Sequence, residues 1–125
     1  MASPSELRFD PITADWTYIR WLGNRNEIEA VTQSWDKVVV DRTEELSSWV
    51  DFCYQIMKRG VLIYAYANNH FQGHGPATIA QFLKLWSSKN LPGIETRARD
   101  NTALRITSAN LRALLISIQV SALSL

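Results

Sequence analysis

Residues 61 to 67 read VLIYAYA, apolar at every position apart from two tyrosine hydroxyls. A strand of this kind has no polar face to turn toward water. It suits a parallel sheet with cover on both faces. Its flanks point the same way. Before it, Leu46, Trp49, Val50, Cys53, Ile56 and Met57 recur at helical spacing. Asp41 and Glu44 fit a capping box, an acceptor first and a carboxylate reaching back. Lys58 and Arg59 favour the negative end of the helix dipole, and Gly60 the left-handed cap. The pattern predicts a helix over about 43–59. After the run, Pro76 sits where a first helical residue lacks no useful N–H. Ile79, Phe82, Leu83 and Trp86 then mark the buried face of a second helix.

Upstream, WTYIRWLG at 16–23 is aromatic and β-branched and closes on Gly23, a strand signal. NRNEIEAVTQSWDK follows as a polar connection without clear period, and VVVD at 38–41 reads as a short edge strand or extended arm. Residues 1–15 form an irregular lead-in broken by Pro4 and Pro11. After Ser87, Pro92 and Gly93 make a turn and IETRARDNT is polar. Leu111, Leu114, Leu115 and Ile118 then predict a helix over 108–123, with Ser108 or Asn110 as cap. The order strand, helix, strand, helix is the alternation of parallel α/β folds. Two main strands alone do not bury both helices.

A chain of 125 residues with net charge +1 is one domain at most, and gives no general argument for a nucleic-acid partner. The charge is uneven. Residues 1–86 carry eight Lys/Arg and ten Asp/Glu, a balance of −2, while 87–125 carry five and two, a balance of +3. That sets the last third apart. Cys53 is the single cysteine, so no internal disulfide and no cysteine-based zinc site can form. The N-terminus has no apolar leader, and the uncharged stretch Ala113 to Leu125 is shorter than the roughly 20 residues that span a bilayer. The expectation is a soluble cytoplasmic protein without membrane contact.

YIRWLG, WDKVVVDRTEEL, YAYANNHFQGHGPATI and FLKLW occur in that order. Together they resemble the C-terminal part of the YecE-like family, known as domain of unknown function 72. The likeness is greatest to a subgroup in which an IRWLG strand precedes a WDK…DRTEE segment, and it covers about residues 16–86. Many relatives carry a histidine where this chain has Leu22. The resemblance implies an α/β fold made of partial TIM-barrel-like (β/α) units, about two strand-helix repeats from near the end of the barrel. It implies no established activity. A complete barrel typically needs ~250 residues, so the expectation is a truncated barrel: a lead-in at 1–15, a barrel segment at 16–92 and an unrelated, partly helical tail at 93–125.

In such barrels the strand ends and the loops after them form the catalytic face. Asn68 and Asn69 offer amides there. Gly73 and Gly75 permit close backbone approach, and the N–H groups of Ala77 and Thr78 at a helix start can receive an anion. The same residues are also what turns and caps use. His70 and His74 have the spacing of half a zinc site, but no Asp, Glu or Cys lies within the loop. Completion would take a distant carboxylate such as Glu29 or Asp36, so neither a metal nor a cofactor is expected. The histidines read rather as hydrogen-bond donors or as acid/base candidates. Arg20, flanked by apolar residues, is either a bidentate anion binder or half of a structural ion pair. Alternation puts Tyr18, Arg20 and Leu22 on one face, opposite Ile19 and Trp21. Asp36 and Lys37 reach a pocket rim or sit in a solvated loop. Cys53, Trp49 and Trp86 read as core.

Two functions follow. One is an uncharacterised barrel fragment that binds a phosphate- or sugar-like anionic small molecule through Arg20, Asn68, Asn69, His74, Gly75, Ala77 and Thr78, with His70, His74 and Arg20 as catalytic candidates. The other is a non-catalytic remnant or split-barrel half that acts by associating with itself or with a partner chain completing the barrel.

Overall fold

A computed structural model describes residues 4–97 and 101–108. After a 3-10 turn at Pro4–Glu6 come β1 (Trp16–Trp21), α1 (Arg25–Val31), α2 (Thr43–Lys58), β2 (Leu62–Ala67), α3 (Asn69–Gln72), α4 (Gly75–Ser88), β3 (Ile94–Arg97) and β4 (Ala103–Ile106). The strands form one open sheet in the order β1-β2-β4-β3. β1 and β2 are parallel, with Trp16 opposite Leu62 and Trp21 opposite Ala67. β4 runs antiparallel to both β2 and β3. The class is mixed α/β, as expected. The αβ crossover from β1 to β2 is the one parallel unit of this sheet.

Both long helices match their sequence signals, because each buries an apolar stripe. α2 buries Leu46, Trp49, Val50, Cys53, Ile56 and Met57, and α4 buries Ile79, Phe82 and Trp86. The two stripes meet Ile19, Trp21, Ile63, Ala65, Ala67, Leu104 and Ile106 of the sheet in a single core. Trp21 lies at its centre, its ring 5.0 Å from Phe82, 6.3 Å from Trp49 and 6.4 Å from Phe71. Cys53 is fully buried, and burial pushes its thiol pKa up, away from the reactive thiolate.

Several expectations change. The capping box is replaced by an arrangement one residue out of step. Arg42 is the N-cap and makes no side-chain cap, while Asp41 Oδ1 accepts from both the N–H (2.9 Å) and the hydroxyl of Thr43. Those bonds, the hydroxyl's first, hold the Asp41 carboxyl below its usual range. The polar connection after β1 contains helix α1. Asn24 caps it by accepting from Asn26 N–H (3.0 Å) and Glu27 N–H (3.3 Å), but it buries Ile28 alone, so no period shows in the sequence. The VVVD run is no strand. Val39 and Val40 instead donate their N–H groups to the Gln72 carbonyl at 2.7 and 3.1 Å.

The most consequential change concerns β2. It was expected to be covered on both faces, yet only Ile63, Ala65 and Ala67 turn to the helices. The other face of the sheet is open, and there Trp16 (56%), Tyr18 (53%) and Tyr66 (37%) remain exposed. The described sheet is open, not a closed barrel. β3 arises in the stretch read only as polar, and β4 just after it, where the residues suggested no element. The helix expected at 108–123 falls almost wholly outside the described residues. No helix among the described residues is long and apolar enough to cross a membrane.

Candidate functional site at the ends of the parallel strands

β1 and β2 end side by side. The Asn68 N–H donates to the Trp21 carbonyl at 2.9 Å, carrying the parallel ladder one step past β2. Gly23, just after β1, turns with φ +71° and packs directly on the backbone of His70 and Phe71. The end of β1 and the start of α3 are thus in backbone contact, which a side chain at 23 would prevent.

The loop after β2 closes on itself. Asn68 caps α3 by accepting the His70 N–H at 2.9 Å. The same oxygen lies 2.8 Å from His70 Nδ1. An amide oxygen only accepts, so Nδ1 carries the proton in this contact. His70 Nε2 is buried without a hydrogen bond; Glu29 Oε1 is 3.5 Å away, close enough to attract a charged ring but not bonded to it. Glu29 itself is held below the usual carboxylate range, chiefly by its bond from Arg25. Asn69 Oδ1 accepts the Gly75 N–H at 2.7 Å. His74 Nδ1 donates to the Trp35 carbonyl at 2.7 Å.

Behind these lies a relay of polar side chains that the sequence did not reveal. Buried Gln72 accepts from the Thr78 hydroxyl (2.9 Å) and donates to Gln81 Oε1 (3.0 Å). Gln81 donates to the Thr43 hydroxyl (2.6 Å), which reaches Asp41. The relay ties α3 and α4 to the start of α2. Arg42 adds a second clasp. Its Nε donates to the Phe71 carbonyl at 2.7 Å, its guanidinium lies 5.2 Å from the Phe71 ring centre, and it pairs with Glu27 and Glu45, each at 3.4 Å.

Asn68, Asn69, His70, His74, Gly75, Ala77 and Thr78 therefore converge at one strand end. Their polar groups mostly face each other. Of the N–H groups at the α4 start, Gly75's is taken by Asn69 and Thr78's by the His74 carbonyl at 3.0 Å. Lys37 lends its backbone to the packing under Gly73, where its carbonyl would lie 2.6 Å from an added Cβ. A concavity of about 620 Å³ opens nearby, lined by Glu6, Gly23, Asn24, Arg25, Arg42, Glu45 and Phe71. Its charges are mixed, and none of the expected site residues lines it.

Arg20 lies apart. It is exposed on the open sheet face, opposite Tyr66 in register, as the alternation foretold. No carboxylate pairs with it among the described residues. Tyr18 and Tyr66 stack obliquely beside it, ring centres 5.1 Å apart. Arg105 stands opposite Tyr64 on the same face.

Asn69→Ala should cost about 1–2 kcal/mol, because it leaves the buried Gly75 N–H without a partner. Urea unfolding checks this.

The family described as Protein of unknown function DUF72 matches residues 2–102, a span wider at both ends than the motifs alone define. No curated protein and no solved structure matches the chain. With most of its length matched by that one family, the chain belongs to DUF72, the YecE-like proteins.

Proposed function

We propose that this chain is a ligand-binding (β/α) segment whose working surface is the open face of its sheet. It takes a phosphate- or sugar-like anionic small molecule against Arg20, with the Tyr18 and Tyr66 rings as flanking walls. The observation that carries this reading is the state of Arg20: exposed, held on a strand, and paired with no described carboxylate. A guanidinium so placed offers a planar fork of donors suited to phosphate or carboxylate oxygens. The strand-end loop has a supporting part. The Asn68 N–H joins the end of β2 to the Trp21 carbonyl at the end of β1, while Asn69, His74, Gly75 and Thr78 hold the loop behind it and Ala77 lies in the first turn of α4. His70 and His74 are each bonded through Nδ1 within the fold, and no reaction is assigned to them.

Thermal unfolding with a sugar phosphate tests this. A ligand that binds the folded state raises the melting temperature by mass action. Arg20→Gln is expected to abolish the rise. Asn69→Ala should start from a lower melting temperature and keep it. A rise that persists in Arg20→Gln sinks the reading.

A second reading has its own support. The outer edge of β1 has no described partner, as expected of a segment that works by association with another chain.

A further inference from the structure

The association reading leaves open whether the chain pairs with itself or with another chain; the pairing that follows rests on that reading and selects a second copy. β1 is the outer strand of the sheet. Leu62 and Asn68 donate to the carbonyls of Asp15 and Trp21, each at 2.9 Å. Backbone polar groups alternate in direction along a strand, so the odd-numbered residues of β1 aim theirs at β2. Trp16, Tyr18 and Arg20 aim theirs outward. No described group bonds to those outward N–H or C=O groups.

Natural edges are usually guarded by proline, lysine, a bulge or an inward charge. WTYIRW has none of these. Its one charge, Arg20, points to the open face. Along the edge runs a groove of about 230 Å³ whose lining includes Ile12, Thr17, Ile19, Trp49, Phe52 and Ile56. This is the shape that an added strand fills, its alternate side chains entering the groove.

We propose that β1 pairs antiparallel with β1 of a second copy, about a two-fold axis through Tyr18. The sequence of the strand selects this occupant and this register. With the axis at Tyr18, each Tyr18 faces its counterpart, and Trp16 of either copy faces Arg20 of the other. All three facing pairs use outward backbone groups, so each exchanges both N–H···O bonds. Facing side chains lie roughly 4.5–5.5 Å apart at Cβ, within reach of a cation–π contact between Arg20 and Trp16. On the helix side, Thr17 faces Ile19, and each Ile19 reaches the other copy's groove. Centring the axis on Arg20 instead sets guanidinium against guanidinium, which is repulsive. The pairing is isologous and closes on itself as a dimer.

The test uses the full chain. Light scattering on a dilution series measures mass for the wild type and for Tyr18→Pro. Proline at 18 removes an outward N–H, where an edge strand tolerates its loss. The expected result is a dimer for the wild type and a monomer with a cooperative melt for Tyr18→Pro. Tyr18→Cys under mild oxidation should give a covalent dimer, since facing Cα atoms near 5.5 Å suit a disulfide. Tyr66→Cys should not. Should Tyr18→Pro fail to fold, the two cysteine variants decide alone. Cys53 is buried and stays out of the chemistry. A dimer that survives Tyr18→Pro, or one that links through Tyr66→Cys and not Tyr18→Cys, overturns the edge pairing and leaves association standing. A monomeric wild type overturns both.

Discussion

Trp21→Ala is expected to remove about 3–5 kcal/mol of stability, the upper range for truncating a buried aromatic. That is a large share of what a domain of this size possesses, so the variant should be partly unfolded at room temperature. Trp21 is fully buried and touches the rings of Trp49, Phe71 and Phe82. These come from α2, α3 and α4, so one ring joins three helices to the sheet. Its Nε1 is buried without a hydrogen bond, so the loss is one of packing rather than of a polar contact. Trp16→Ala is the control. It lies on the same strand but is 56% exposed, and in the dilute monomer its loss should stay within roughly 0.5 kcal/mol. Urea denaturation of both variants measures the contrast. Equal losses would mean that the buried face of β1 is misassigned.

The second large effect is expected at Gly23. An alanine there takes a left-handed backbone at φ +71°, which costs a non-glycine residue about 1–2 kcal/mol. Its Cβ would also collide with the His70 carbonyl oxygen. Backbone cannot swing aside as a side chain does, so the end of β1 and α3 must separate. The total should exceed about 3 kcal/mol. Gly60→Ala isolates the first contribution. Its φ is +81°, and nothing lies within 4 Å of an added Cβ. It should cost only about 1–2 kcal/mol. Thermal melts of the pair check both values. If Gly23→Ala is no worse than Gly60→Ala, the contact between β1's end and α3 is not part of the native packing.

Much of the fold was legible because burial leaves a period. α2 and α4 present apolar stripes; α2 was readable to within a residue, and α4, β1 and β2 were readable in type and place. α1 was not, because burying Ile28 alone leaves no repeat to see. β3 begins the polar run IETR, which carries no strand signal of its own; its pairing with β4 supplies what the residues do not. The open face was misread for a chemical reason. Tyr64 and Tyr66 count as apolar in a pattern, yet a tyrosine can stand at a water-facing surface with its hydroxyl wet.

The strand-end loop was half legible. Asn, His, Gly and Pro between β2 and α4 marked a tight and polar turn, and the chain turns there. What composition could not reveal is direction. Asn69 turns inward to Gly75, and His74 to Trp35. Gln72, Gln81 and Arg42 complete that inward network from positions with no local signal. Arg20 was the opposite case: alternation along β1 fixed its face, and only the structure could show that no described carboxylate pairs with it.

A two-dimensional amide NMR titration of the full chain with a sugar phosphate separates the open sheet face from the strand-end loop as the working surface. Binding at the open face shifts the amides of Tyr18, Arg20, Tyr64 and Tyr66. Shifts concentrated at His74, Gly75, Ala77 and Thr78, with the β1 amides unmoved, would contradict it.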